Sequence, residues 1–161
     1  MAPETLDIVS KIHQTLIKKG LTISVAESCT GGLLSHLLTK LPGSSAFFEA
    51  GIVSYSRKSK EEILGVSREI MAQQGIVSEK TAKEMAGKIR ALTKTDFSIA
   101  TTGNLGPAVL EGKDRGLIYI AVSGSQGIIA RELRLDGGRA ANKKEAALRS
   151  LELLLEVIKS A

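Results

Sequence analysis

Tryptophan is absent from this 161-residue chain, and aromatic residues make up only 3% of it. Proteins that grip single-stranded nucleic acid stack bases on aromatic rings. With only Phe47, Phe48, Phe97, Tyr55 and Tyr119 available, nucleic acid is the weaker partner. A single cysteine, Cys29, excludes an internal disulfide. The two histidines, His13 and His36, fall within helical patterns and have no cysteine or histidine neighbour at ligand spacing, so no zinc site is expected. No apolar run is long enough to cross a bilayer. The N-terminus carries Glu4 and Asp7 rather than a basic stretch followed by an apolar block. The expectation is a cytoplasmic protein with no membrane partner and no metal or other cofactor.

What the chain does contain is ordinary for a globular protein: 43% hydrophobic and 24% charged residues. Residues 1–161 fit one domain, and a chain of this length buries roughly 70% of its unfolded surface. A net charge of +5 and a pI near 9.4 favour phosphate-bearing partners.

Hydrophobic periodicity orders the elements. Leu6, Val9, Ile12, Leu16 and Ile17 trace a helical stripe that Gly20 ends. Residues 21–26 alternate as a strand, 33–39 form a short helix, 47–56 read as extended and 58–64 as helical. Ser67 and Ser78 stand where a hydroxyl caps a helix. A strand over 96–101 precedes a hairpin of 117–122 with 128–135, turning at 124–127. A last helix covers about 139–158. Helices flanking a mixed sheet predict a single three-layer α/β/α domain.

Several polar groups stand at candidate loops. Gly43-Ser44-Ser45 with Lys60 supplies a serine nucleophile and a lysine base, with Tyr55 between them to relay a proton. A separation of 15 residues permits a return, but the same residues also read as a plain turn and a solvated lysine. The turn Thr30-Gly31-Gly32 opens a helix and offers backbone N–H groups to an anion, or simply caps that helix. Glu27, just before it, could hold substrate or orient Lys60. Cys29, without a histidine partner, reads as a packing residue. Thr102-Gly103 ends a strand, where open α/β sheets bind ligands. Arg139, with Lys143 and Lys144 one turn on, could clamp a phosphate or face solvent.

Taken in order, these motifs resemble the CinA C-terminal domain family, whose members include nicotinamide-nucleotide amidases, over residues 6–155. The resemblance is carried by Ala26-Glu27-Ser28-Cys29-Thr30-Gly31-Gly32 and by Pro42-Gly43-Ser44-Ser45 with Phe48, Gly51, Val53, Tyr55 and Lys60. It continues in Leu64-Gly65-Val66, Gly75, Val77-Ser78-Glu79 and Met85-Ala86. It implies that Ser45 is the nucleophile, Lys60 its base and Tyr55 a neighbour. Substrate contacts would then come from Glu27, Ser28, Thr30, Gly31, Gly32, Ser44, Thr102, Gly103, Arg139 and Lys143. It also implies hydrolysis of the carboxamide of nicotinamide mononucleotide, a small phosphorylated pyridine nucleotide, to the acid and ammonia without a metal, in a homo-oligomer.

The chain departs from the family pattern after Thr102. Family members usually read Thr-Gly-Ile-Ala-Gly-Pro, then a Gly-Gly turn and Lys-Pro-Val-Gly. This chain has Asn104-Leu105-Gly106-Pro107, then Ala108-Val109-Leu110-Glu111-Gly112-Lys113-Asp114-Arg115-Gly116. The side chains of Val109 and Leu110 adopt positive φ poorly, so the loop is expected to take its own path. A second family arginine, four residues after Arg139, is Lys143 here. Two other accounts stand beside the amidohydrolase: a non-catalytic nucleotide-binding module, and a basic nucleic-acid-binding protein.

Overall fold

The computed structural model describes residues 3–161. In chain order the elements are α1 (Pro3–Lys19), β1 (Ile23–Glu27), α2 (Leu33–Thr39), a 3-10 turn (Ser44–Ala46), β2 (Phe48–Val53), α3 (Arg57–Glu62), α4 (Arg68–Gln74) and α5 (Glu79–Thr93). There follow β3 (Phe97–Gly103), β4 (Leu117–Gly124), β5 (Gly127–Arg134) and α6 (Arg139–Ser160). The expected elements are all present; α3 ends before Leu64, and α6 runs two residues past Ile158.

Five strands form one sheet in the order β2-β1-β3-β4-β5. β1 pairs parallel with both β2 and β3, and the β3–β4 and β4–β5 pairs are antiparallel. The sheet is therefore mixed, as expected. No helix is long and apolar enough to cross a membrane among the described residues.

Side-chain alternation explains the layers. Ile23, Val25, Phe97, Ile99, Ile118, Ile120 and Val122 point to one face and join α1, α2 and α6 in the larger core. The other face carries Ala26, Ala100 and Ala121, so α5 packs close with Met85, Ala86 and Ile89. Ser98 Oγ donates to the Ala86 carbonyl at 2.6 Å on that same face. His13, buried in α1, contacts the Leu38 carbonyl through Nε2 at 2.8 Å and meets Phe47 edge-on.

The connection from β1 through α2 leads to β2 on one side of β1, whereas the later helices lead to β3 on the other. A strand order that reverses in this way leaves a crevice at the carboxyl ends of the strands. In this chain that crevice lies between Glu27–Ser28, Ser54–Tyr55 and Thr101–Gly103.

Candidate active site

Ser28 is the first residue beyond β1, and its N–H donates to the Thr101 carbonyl at 3.0 Å, extending the β1–β3 ladder by one step. Ser54 does the same beyond β2, its N–H reaching the Glu27 carbonyl at 2.9 Å. The chain then turns into α3, where Ser56 accepts from the Ser59 N–H at 3.0 Å and the Ser56 N–H donates to Ser59 Oγ at 3.1 Å. This reciprocal cap fixes the first turn of α3. Lys60, in the last turn of α3, and Leu64, just beyond its end, are both buried.

Lys60 is only 1% exposed. Its Nζ stands 2.8 Å from Ser28 Oγ, 2.8 Å from the Ser54 carbonyl oxygen and 3.2 Å from the Tyr55 carbonyl oxygen. Burial pulls its pKa from the ordinary 10.5 down to about 8, and the nearby Cys29 and Glu111 partly oppose the fall. The geometry sets the role of the neutral amine. Carbonyl oxygens only accept, so they take its two N–H groups, and its lone pair is left facing the Ser28 hydroxyl.

The lowered value has a consequence for stability. Between pH 8 and 10.5 the unfolded chain binds a proton at Lys60 that the folded chain does not, so stability rises with pH through that window. A difference of about 2.5 pH units corresponds to roughly 3 kcal/mol. Paired urea unfolding of the wild type and Lys60→Met, at pH 7.5 and 10.5, is expected to show the wild type gaining about that much relative to the variant. A pH-independent difference would mean that Lys60 titrates normally.

The structure separates Ser45 from this pair. Ser45 is exposed in the 3-10 turn before β2, beside Ser44, whereas Lys60 follows β2. A strand of six residues at about 3.3 Å per residue places them roughly 20 Å apart. The expected Ser45–Lys60 pairing, with Ser44 at the same site, is therefore replaced by Ser28–Lys60. The sequence held a signal for this: a serine directly after a strand, followed by glycines and a helix, is the placement that exposes a nucleophile at the top of an α/β sheet.

The turn after Ser28 also differs from expectation. Glu27, fully buried, accepts at Oε2 from the N–H groups of Gly32 and Leu34, each at 3.0 Å. Its Oε1 accepts from Ser35 N–H and Ser35 Oγ, both at 2.8 Å. The Gly31 N–H donates to the Ser28 carbonyl at 3.0 Å. The donors that a phosphate would need at the start of α2 are thus already used, and Glu27 is the cap of that helix rather than a substrate contact. Thr30 Oγ1 pairs with Thr101 Oγ1 at 2.8 Å, and Thr102 Oγ1 donates to the Ile76 carbonyl at 2.6 Å. Both hydroxyls hold the frame. A Cβ on Gly103 would come within 2.8 Å of the Leu117 carbonyl oxygen, so that glycine serves close packing. Among the described residues, the N–H groups of Cys29 and Thr30 donate to no backbone carbonyl.

Ser28, Cys29, Tyr55, Ile76, Val77 and Leu110 line a cleft of about 50 Å³, with Arg139 at its mouth. Tyr55 is 56% exposed. Its hydroxyl accepts from Arg139 Nη2 at 2.9 Å, and Arg139 Nη1 donates to the Gly106 carbonyl at 2.9 Å. Lys143 stands over the turn, its Nζ 3.2 Å from where a Gly31 Cβ would lie. Burial pushes the Cys29 thiol up to about 11, so it is a packing residue and no nucleophile.

Comparison with known proteins agrees with this architecture. A protein of Desulforamulus reducens provisionally named a competence-damage inducible protein is 46% identical over 130 residues, 81% of this chain and 32% of that protein. The chain spans about a third of the length of the curated relatives it matches. Among solved structures, the competence/damage inducible protein CihA from Agrobacterium tumefaciens superposes with a TM-score of 0.93 at 33% identity, covering 97% of this chain and 96% of that one. A CinA superfamily protein from Enterobacter cloacae gives 0.92 at 34% identity, covering 96% and 92%. The sequence profile of the CinA C-terminal domain matches residues 5–158, and the chain belongs to that family.

Proposed function

We propose that this chain is a serine amidohydrolase in which Ser28 is the nucleophile and Lys60 the base, acting on the carboxamide of a small phosphorylated pyridine nucleotide. One observation carries the reading: the buried Lys60 Nζ is 2.8 Å from Ser28 Oγ while two carbonyl oxygens occupy its other hydrogen-bonding directions. A serine hydroxyl becomes reactive when an adjacent base takes its proton, and a lysine does so only when its pKa is brought toward neutrality. Substrate class is supported by the family resemblance and by two positive groups, Arg139 lining the cleft and Lys143 over the Gly31 turn.

The steps follow from the placement. Ser28 Oγ attacks the amide carbon as its proton passes to Lys60 Nζ. The Cys29 and Thr30 N–H groups are the donors available to the oxyanion that forms. Lys60 then returns the proton to the departing nitrogen, releasing ammonia and leaving an acyl ester on Ser28. Water attacks that ester with Lys60 again as base, which frees the acid and restores the serine. Arg139 and Lys143 hold the phosphate. Tyr55, bonded to Arg139, positions that cation at the mouth rather than moving the proton.

The test is release of ammonia from nicotinamide mononucleotide by the purified protein across pH. Because only neutral Lys60 accepts the proton, kcat/KM is expected to climb about tenfold per pH unit below pH 8 and to level off above it. About a tenth of the lysine is neutral at pH 7. Binding of the nucleotide without turnover at any pH would favour a non-catalytic nucleotide-binding module instead.

A further inference from the structure

The cleft over Ser28 is about 50 Å³, whereas pockets that hold small-molecule ligands run to roughly 300–1,000 Å³. On the amidohydrolase reading, a nucleotide cannot reach Ser28 until one wall moves. Most of the walls are fixed. Glu27 ties down the turn after Ser28, and Thr102 and Gly103 belong to β3. The 74–77 turn, which brings Ile76 and Val77 to the cleft, is fastened to the body by three hydroxyls. Thr102 Oγ1 donates to the Ile76 carbonyl at 2.6 Å, Thr81 Oγ1 to the Gly75 carbonyl at 2.7 Å and Ser78 Oγ to the same carbonyl at 2.9 Å.

Two walls remain, Tyr55 with Arg139 at the mouth and the loop between β3 and β4, and it is the loop that delivers Leu110 to the cleft beside Ile76 and Val77. Its own hydrogen bonds make it a unit. Asn104, 3% exposed, donates through Nδ2 to the carbonyls of Leu110 at 3.2 Å and Lys113 at 3.3 Å, and accepts at Oδ1 from the Leu110 N–H at 3.0 Å. Gly116 N–H donates to the Asn104 carbonyl at 2.6 Å.

This unit grips the fixed turn through two side chains. The Glu111 carboxylate accepts from the N–H groups of Ile76 at 2.6 Å and Val77 at 3.2 Å. Lys113 Nζ donates to the carbonyls of Gln74 at 2.9 Å and Val77 at 2.5 Å. The two side chains pair with each other at 3.3 Å and remain 25% and 30% exposed respectively. Glu111 reaches this position at a φ of 59°, a left-handed conformation that is uncommon for a residue with a side chain. The bonds from the Ile76 N–H to Glu111 and from Lys113 to the Gln74 carbonyl are exposed to water, whereas the three hydroxyl bonds that fasten the turn are part-buried, so the catch is the connection most open to exchange.

We propose that residues 107–113 are a latch over the Ser28 cleft, with Glu111 and Lys113 as the catch that holds it to the 74–77 turn. Opening needs these two side chains to exchange their backbone partners for water and Leu110 to leave Asn104, while Asn142 on the Leu105 carbonyl and Arg139 on the Gly106 carbonyl hold the base of the loop. Release carries Leu110 away from Ser28 and widens the cleft on the side facing Ile76 and Val77.

Amide hydrogen exchange tests the catch, and labelling of Ser28 by phenylmethanesulfonyl fluoride tests access. In Glu111→Ala, exchange at Ile76 and Val77 is expected to quicken about tenfold or more, with Ile99 and Ile120 in the sheet unchanged. Lys113→Ala should show a smaller rise and stands in if the first variant does not fold. Sulfonylation of Ser28, read by mass, should accelerate several-fold in the same order. Unchanged exchange at Ile76 and Val77 overturns the latch, and so does faster exchange with no gain in labelling when Ser28 of the wild type is labelled. A Ser28 that resists the reagent in every variant counts against the Ser28–Lys60 reading; the latch then stands or falls on the exchange rates alone.

Discussion

Ser28→Ala is expected to lower ammonia release from nicotinamide mononucleotide by about 10³-fold or more, while Ser45→Ala changes it by less than about twofold. The contrast follows from the strand between them. Ser28 lies against the buried amine at 2.8 Å, and Ser45 sits at the far end of β2, exposed and on the amino side of the sheet. Removing Oγ deletes the only atom that the neutral lysine is positioned to deprotonate, and no other hydroxyl reaches Lys60 Nζ among the described residues. Steady-state rates of both variants, with thermal unfolding to show that each is folded, decide the matter. A dead Ser45→Ala beside an active Ser28→Ala would move the nucleophile to the other pole of the sheet.

The second large effect is on stability. Glu27→Gln is expected to cost about 3 kcal/mol, because four donors converge on a carboxylate that is 0% exposed. An amide has the same shape but only one oxygen. Its NH₂ group must face either the Gly32 and Leu34 N–H groups or the N–H and hydroxyl of Ser35; of these only the hydroxyl can turn to accept, so at least one donor meets a donor. Against a total of roughly 5–15 kcal/mol for a domain, that loss is large. Urea unfolding should show a lower midpoint with an unchanged slope. Glu49→Gln, an exposed site on β2, should stay within about 0.5 kcal/mol of the wild type. Equal midpoints for Glu27→Gln and the wild type would show that the cap contributes nothing.

The two variants also mark where sequence reading stopped. Period and punctuation located the elements: alternation at 21–26 and 96–101, the stripe ending at Gly20, and the caps at Ser67 and Ser78 are local signals, and local signals survive folding. Lys60 was legible as a candidate base by type and family motif. Its partner was not, because a count of 15 residues carries no direction. A parallel strand carries the chain from one pole of the sheet to the other, and only the β1–β2 register reveals that Ser45 and Lys60 bracket β2. Glu27 was misread for a related reason. An acidic residue before a glycine-rich turn looks the same whether it faces a ligand or the first N–H groups of its own helix. The donors around its oxygens distinguish the two, and they come together only when α2 forms. In the loop after Thr102, the departure from the family pattern was visible, but the grip of Glu111 on Ile76 and Val77 links residues about 35 positions apart and left no local trace.

The provenance of the parts bears on how the protein can change. Ser28, Lys60 and the groups that orient them come from residues 27–60 and from Thr101, all within the parallel half of the sheet. What shuts over them and what brings positive charge to the rim come from residues 104–143. Drift in the later stretch can therefore remodel the cleft and its rim while Ser28 and Lys60 keep their positions.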